Sequence, residues 1–385
     1  MSSSDGSLGL YIHIPFCGAI CHYCNFNRGL HDGTLASRYV EALERDIRRH
    51  SDQAGQADQA PADTVYFGGG TPSLLPPEDI GRLIAACRDS FALADDAEIT
   101  LETNPETVTV ARMEAYRAAG VNRVSMGAQS FRDEELKRLG RVHSAARIRE
   151  AFAQTRRAGF DNISLDLMMW LPQQTIHDWM QSIDGLLELG PEHASIYLLE
   201  LYPNAPLRED MARAGWSQAP EDDAADMYLR GFERLDAAGY RQYEISNVAR
   251  EGRESRHNLK YWRDGEWMAF GCGAHGTRGG RRWRVVSGTE DYIQRIRDGI
   301  DTAAETRILS AEERLEEMLF TGLRLSEGLP LNEIRAKFGV DVWDRYGRGL
   351  TPFVDAGVLR HEPSVRLRLT REGMLLANEV CSVFV

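Results

Sequence analysis

The sequence is poor in cysteine, holds no long apolar run and has no excess of basic charge. Six cysteines occur among 385 residues, too few for the disulfide framework of a small secreted domain. Cys17, Cys21 and Cys24 stand together, while Cys87, Cys272 and Cys381 are scattered. In a reducing compartment such a cluster reads as metal ligation before disulfide. No apolar stretch approaches the ~20 residues that span a bilayer. The opening MSSSDGSLG has neither the basic nor the apolar region of a signal peptide. Both absences predict a cytoplasmic protein with no integral membrane segment. The formal charge is −13, from 45 Lys and Arg against 58 Asp and Glu. That sign repels phosphate backbones and anionic membrane surfaces, so nucleic-acid binding is not expected.

What is present is ordinary globular material, 43% hydrophobic and 27% charged, with length for one large domain and a smaller one. Short β-rich runs alternate with amphipathic stretches through residue 240, giving expected strands at Leu10–Ile14, Thr64–Phe67, Glu98–Leu101, Arg123–Met126, Asn162–Leu167 and Ser195–Leu201. Several helical stretches end in Gly120, Gly159 or Gly239, where glycine supplies the left-handed stop. Tyr228, Phe232 and Leu235 share one helical face. Polar or glycine-rich residues fall at the C-terminal end of nearly every strand, and such convergence favours a barrel over a doubly wound sheet. The expected fold is α/β, a partial (β/α)6 TIM-like barrel. The polar tract Ser51–Ala62 reads as a surface loop.

From about Leu309 the pattern changes to helices, a β-rich segment at Val365–Leu369 and a last helix from Arg371, which fits a smaller winged-helix-like α+β module. Over residues 330–385 Lys and Arg number 8 and Asp and Glu 7, without the basic excess of a DNA reader. The expected division is 1–240 core, 241–308 a segment packing on it, and 309–385 the C-terminal domain.

Cys17-x3-Cys21-x2-Cys24 offers three thiolates within eight residues. A closed zinc site or an iron-sulfur cluster ordinarily takes four protein ligands, so three imply an iron left open for a substrate or cofactor. The competing reading is a zinc knuckle completed by His13, His22 or His31. Phe67-Gly68-Gly69-Gly70-Thr71-Pro72 lacks the lysine of a phosphate-binding loop. Its glycines instead allow close backbone approach to a ligand, or simply a tight turn.

The segment YIHIPFCGAICHYC, followed by the glycine-rich strand end, resembles the radical S-adenosylmethionine (SAM) superfamily. The resemblance implies a 4Fe-4S cluster held by Cys17, Cys21 and Cys24, with SAM chelating the open iron. It narrows along nearly the whole chain, through Leu101-Glu102-Thr103-Asn104-Pro105, Ser125–Phe131, Leu165–Met168 and Tyr243–Asn247, to the oxygen-independent coproporphyrinogen oxidase family and its HemW-type haem chaperone branch. It implies that Tyr11, Gly69 and Glu102 contact the cluster-bound SAM. Gly70, Thr71, Gln129, Arg141 and Asp166 match a second SAM-sized site in the oxidase branch. Read without the family, Glu102 and Asp166 are equally helix caps and Arg141 a surface charge. One departure is Met169-Trp170, where the family has a small residue before Leu171-Pro172; bulk there is expected to close the second site.

His257-Asn258-Leu259-Lys260-Tyr261-Trp262 resembles the HNxxYW signature of the chaperone branch and implies haem as cargo, with His257 near the haem iron. Tyr261 and Trp262 would cover the porphyrin face, and Arg256 and Lys260 would pair with its propionates. The plain alternative is core packing. The chaperone reading implies a haem-accepting partner, respiratory or otherwise, and allows a homodimer. The oxidase branch carries a further cysteine two positions after the third; here that position is Phe26, and only ten residues precede Tyr11. Both features favour the chaperone over the oxidase, while a radical methyltransferase or haem-degrading relative shares the same core.

Overall fold

The computed structural model describes residues 7–53 and 61–384. Its centre is a run of parallel strands: β1 (Leu8–Ile14) and then, after the short pair β2 (Phe16–Cys17) and β3 (Gly29–Leu30), β4 (Pro61–Gly69), β5 (Ala92–Thr103), β6 (Arg123–Gln129), β7 (Ile163–Met169) and β8 (His193–Leu198). β1 and β4 to β8 lie side by side in chain order, each parallel to the next. Every strand expected from the sequence is present, with ends displaced by a few residues. The connecting helices include Gly33–Gln53, Pro77–Ser90, Ala145–Arg157 and Ile176–Leu189. Gly120, Gly159 and Gly239 have φ of +111°, +91° and +85°, the backbone a side chain resists. Tyr228, Phe232 and Leu235 are buried together on the helix Glu221–Ala237. The expected loop Ser51–Ala62 is shorter: residues to Gln53 finish a helix, Pro61 begins β4, and 54–60 lie outside the described residues.

Residues 241–308 continue this sheet at both ends. β9 (Arg241–Glu244) and β10 (Asn247–Ala249) extend it antiparallel beyond β8, and β11 (Trp267–Phe270) runs parallel to β1. β12 (His275–Arg278), β13 (Arg281–Val285) and β14 (Ala303–Ile308) complete twelve strands among the described residues, where β9 and β14 are not joined to each other. The barrel is therefore partial.

Strand alternation divides the sheet into two chemistries. Leu10, Ile12, Val65, Phe67, Ile99, Leu101, Val124 and Leu165 are buried in the apolar core. The intervening positions carry Tyr11, Tyr66, Glu102, Ser125, Asp166 and Ser195, so the inner face is polar. At the C-terminus, β15 (Leu329–Pro330), β16 (Leu359–Glu362) and β17 (Arg366–Leu369) form a separate antiparallel sheet in the order β15-β17-β16. With helices Ala311–Gly322, Leu331–Phe338 and Val342–Asp355, the sequence helix, strand, helix, helix, strand, strand is that of a winged helix. Among the described residues no helix is long and apolar enough to cross a membrane.

Candidate functional site

The cysteine loop leaves the C-terminal end of β1 and is closed at its base. β2 pairs with β3, Phe16 opposite Gly29 and Cys17 opposite Leu30, and His31 N donates to Cys17 O at 2.9 Å. Its middle is held from outside, where His22 N donates to Leu139 O at 3.1 Å and Leu207 N to His22 O at 2.9 Å. Cys17, Cys21 and Cys24 are free thiols lining one cavity of about 440 Å³. Burial pushes the Cys17 and Cys24 thiols up, and a bound metal would deprotonate them outright. Arg141 Nη1 lies 3.4 Å from Cys21 Sγ, and the Arg28 guanidinium donates to Cys24 O, so cations stand where thiolate charge would collect. Among the described residues no three His, Cys, Asp or Glu side chains, these cysteines included, are already drawn together around a single point. Three thiols on a pinned loop, with cations beside them, fit a polynuclear cluster.

Beside this loop the end of β4 turns over β1. Gly70 N donates to Ile14 O at 2.8 Å and Thr71 N to Phe16 O at 2.7 Å, which ties the glycine turn to the residue preceding Cys17. A Cβ on Gly70 would lie 2.6 Å from Phe16 O, and one on Gly69, at φ +114°, 2.5 Å from the His13 ring. Gly69 N donates to Glu102 Oε2 at 3.0 Å, and the Tyr66 hydroxyl donates to Glu102 Oε1 at 2.9 Å. Burial raises the Glu102 carboxyl to about 7.

This raised carboxyl carries a signed pH dependence. Between the unfolded value near 4.5 and about 7 the native state holds a proton that the unfolded chain has lost, so this group's contribution to stability falls as pH rises through that window. Glu102→Gln should therefore stabilise the metal-free protein at pH 8 by about 3 kcal/mol, and hardly at all below pH 4.5. Urea unfolding at both values checks this; a difference independent of pH would refute the titration.

The residues matched to a second SAM-sized site line the same cavity: Gly70, Thr71, Gln129, Arg141 and Asp166. Arg141 bridges the two sets, since its Nη2 donates to Gly127 O at 2.6 Å. Ser125 Oγ donates to Asp166 Oδ1 at 3.2 Å, and burial raises the Asp166 carboxyl. Gln129 sits at φ +70°, where β6 and β7 shift register; a non-glycine residue in that region is strain of the kind that collects at functional sites. The expectation that Met169-Trp170 closes the site needs correction. Trp170 adopts φ +60°, the conformation for which a small residue is ordinarily used. Its indole donates outward to Ala219 O at 2.8 Å, and neither residue lines the cavity.

Two other expectations meet a different geometry. Tyr11 does not line the cavity; its ring stacks on Tyr66, centroids 6.2 Å apart, and its hydroxyl meets His13 Nδ1 at 3.1 Å. His257 is 1% exposed, with Nδ1 2.8 Å from Thr64 Oγ1 and Nε2 2.9 Å from the Tyr261 hydroxyl. Both ring nitrogens are engaged and burial takes its pKa down to about 3, so this conformation leaves no lone pair free for a haem iron. Lys260 pairs with Asp63 at 2.6 Å, and Arg256 with Asp63 and Asp96, so neither cation awaits a propionate. Sequence reasoning missed Tyr66 and gave His13 only as a candidate zinc-knuckle ligand, although β-alternation from Thr64 and Tyr11 would have turned both inward. It also missed the apolar rim of Phe26, Leu198 and Tyr202, respectively 63%, 47% and 37% exposed.

Comparison with known proteins agrees with this geometry. Residues 11–186 match the Radical SAM superfamily model, and residues 309–376 match the HemN C-terminal domain. The chain is 36% identical over 376 residues to "Heme chaperone HemW" of Bacillus subtilis, covering 97% of this chain and 98% of that protein. It is 37% identical over 335 residues to "Heme chaperone HemW" of Escherichia coli, covering 82% and 86%. Among solved structures, coproporphyrinogen III oxidase (HemN) from Escherichia coli superposes with a TM-score of 0.86 at 23% identity, over 98% of this chain and 90% of that one; at that identity the likeness establishes the fold.

Proposed function

The chain belongs to the HemW haem chaperone family within the radical SAM superfamily, and on that premise we propose that it binds a 4Fe-4S cluster, SAM and haem, and passes haem to a haem-requiring protein. The observation that supports this most directly is the meeting of Cys17, Cys21 and Cys24 with Gly69 and Glu102 on one cavity. The three cysteines would hold the cluster, leaving one iron for the amine and carboxylate of SAM. The Gly69-Gly70 backbone admits the ligand without side-chain obstruction, and the Glu102 carboxylate lies where an ammonium group would be received. When bound, the cluster supplies the electron that superfamily members use on the sulfonium.

Haem, as cargo, is better matched by the apolar rim than by the buried His257. Exposed apolar surface of this kind is usual at binding sites, and Phe26, Leu198 and Tyr202 open onto the same cavity. Anaerobically reconstituted protein should retain haem on gel filtration. Given coproporphyrinogen III, SAM and reductant, it should show no sustained decarboxylation, because Phe26 occupies the place of the oxidase branch's extra cysteine. Multiple turnovers to protoporphyrinogen IX would overturn the chaperone reading in favour of the oxidase.

A further inference from the structure

His257, the buried first residue of the HNxxYW segment, reaches the cavity lining through Tyr66, which bonds Glu102. Strand register sorts the inner positions into layers: Gly9, Thr64 and Glu98 are paired in one, Tyr11, Tyr66 and Thr100 in the next, and the turn at Gly68 and Gly69 with Glu102 lies above them. Layered filling is the packing logic of a βα barrel. His257 occupies the first layer, where glycine at position 9 makes room for it; a Cβ there would lie 3.1 Å from its Cε1. Its own helix, Arg256–Trp262, is fixed by Glu98, which accepts from the backbone N of Arg256 at 3.0 Å and of His257 at 3.1 Å. The Lys260–Asp63 pair locks the other side.

From this position the imidazole supports the second layer. It stacks on the Tyr66 ring, centroids 5.2 Å apart at 28°, and on Tyr11 at 6.4 Å. Tyr66 carries the next link, its hydroxyl donating to Glu102 Oε1 while Glu102 Oε2 accepts from Gly69 N. We propose that His257 is a positioning residue for the SAM site: seated between Thr64 and Tyr261, it sets the plane of Tyr66 and so orients Glu102 and the Gly69 turn. The inference rests on the reading that SAM occupies this cavity. It explains why a histidine with two satisfied nitrogens stands there, since an aliphatic residue could fill the space but could not be held in one ring orientation by bonds on both edges.

The test is a double-mutant cycle on anaerobically reconstituted protein, reading SAM dissociation constant, cluster iron, haem affinity and melting temperature. Tyr66→Phe removes one charge-assisted hydrogen bond and should weaken SAM about tenfold. His257→Leu should weaken SAM by a similar factor with cluster iron and haem affinity unchanged, and the double variant should be little worse than either single. Should His257→Leu fail to fold, Thr64→Val frees the ring from one side and is expected to give the same coupling. A role in packing alone would lower melting temperature and leave SAM affinity intact. That result, or a loss of haem affinity without loss of SAM affinity, would overturn the inference. Wild-type protein that binds no SAM would instead overturn the functional reading, and this inference with it.

Discussion

Replacing Cys17, Cys21 or Cys24 singly by alanine should abolish the broad visible absorption of anaerobically purified protein and remove most of its bound iron. Each thiol lines the cavity, and loss of any one leaves two protein ligands where cluster binding ordinarily takes four. Of the flanking histidines, His13 has both ring nitrogens engaged and His22 has one. His13, which could have completed a zinc knuckle, has Nε2 2.8 Å from Asn27 O and Nδ1 3.1 Å from the Tyr11 hydroxyl, and His22 Nδ1 pairs with Asp210 at 2.7 Å. The remaining cysteines serve as controls. Cys87 is buried in a helix, its thiol pushed up to about 12 by desolvation, and Cys381 is pushed up to about 11 in the C-terminal domain. Cys272 is enclosed by Tyr39 and Asn27. Alanine at these three positions should leave iron content unchanged. Stoichiometric zinc in anaerobically prepared wild-type protein would defeat the cluster assignment.

Local pattern made the strands legible, because a parallel strand buried against helices is a short apolar run and the glycines after the helices mark φ that other residues resist. The placement of the polar inner face was also implicit there, since alternation from Phe67 puts Tyr66 on the opposite side. What local pattern could not supply was distance across the sheet. The segment 241–308 looks like an appendage in sequence, yet β11 pairs with β1 across more than 250 positions of chain. His257 beside aromatic and basic residues reads equally as a ligand site or as packing. Only the approach of Thr64 and Tyr66 from a distant strand shows its ring enclosed. Trp170 misled in the same way: its bulk is visible in sequence, but its direction is set by Ala219, nearly fifty residues on.

The Gly69→Val variant should lose SAM binding while keeping its cluster. Two separate costs meet at this residue. Its φ of +114° is a region β-branched residues avoid, costing about 1–3 kcal/mol. Its Cβ would also fall 2.5 Å from His13 Cε1 and 2.6 Å from Nδ1, closer than van der Waals contact permits. The ring has little room to retreat, since Asn27, which accepts its Nε2, is itself anchored to Cys272 O and Ser287 O at 3.0 Å. The turn must therefore move, which breaks the bond from Gly69 N to Glu102 and lets that carboxylate swing on Tyr66. The backbone cost alone is below the 5–15 kcal/mol by which domains are usually stable, and movement of the turn relieves the clash, so a folded protein is expected. Although Gly70 N and Thr71 N tie the turn to Ile14 O and Phe16 O, the cysteine loop is also closed by the β2–β3 pair and held at His22, so it should still load iron. SAM affinity measured by calorimetry should then drop by at least tenfold at wild-type iron content, and Gly69→Ala, without the branched methyls, should fall between the two. A dissociation constant unchanged in Gly69→Val would remove this turn from the SAM site.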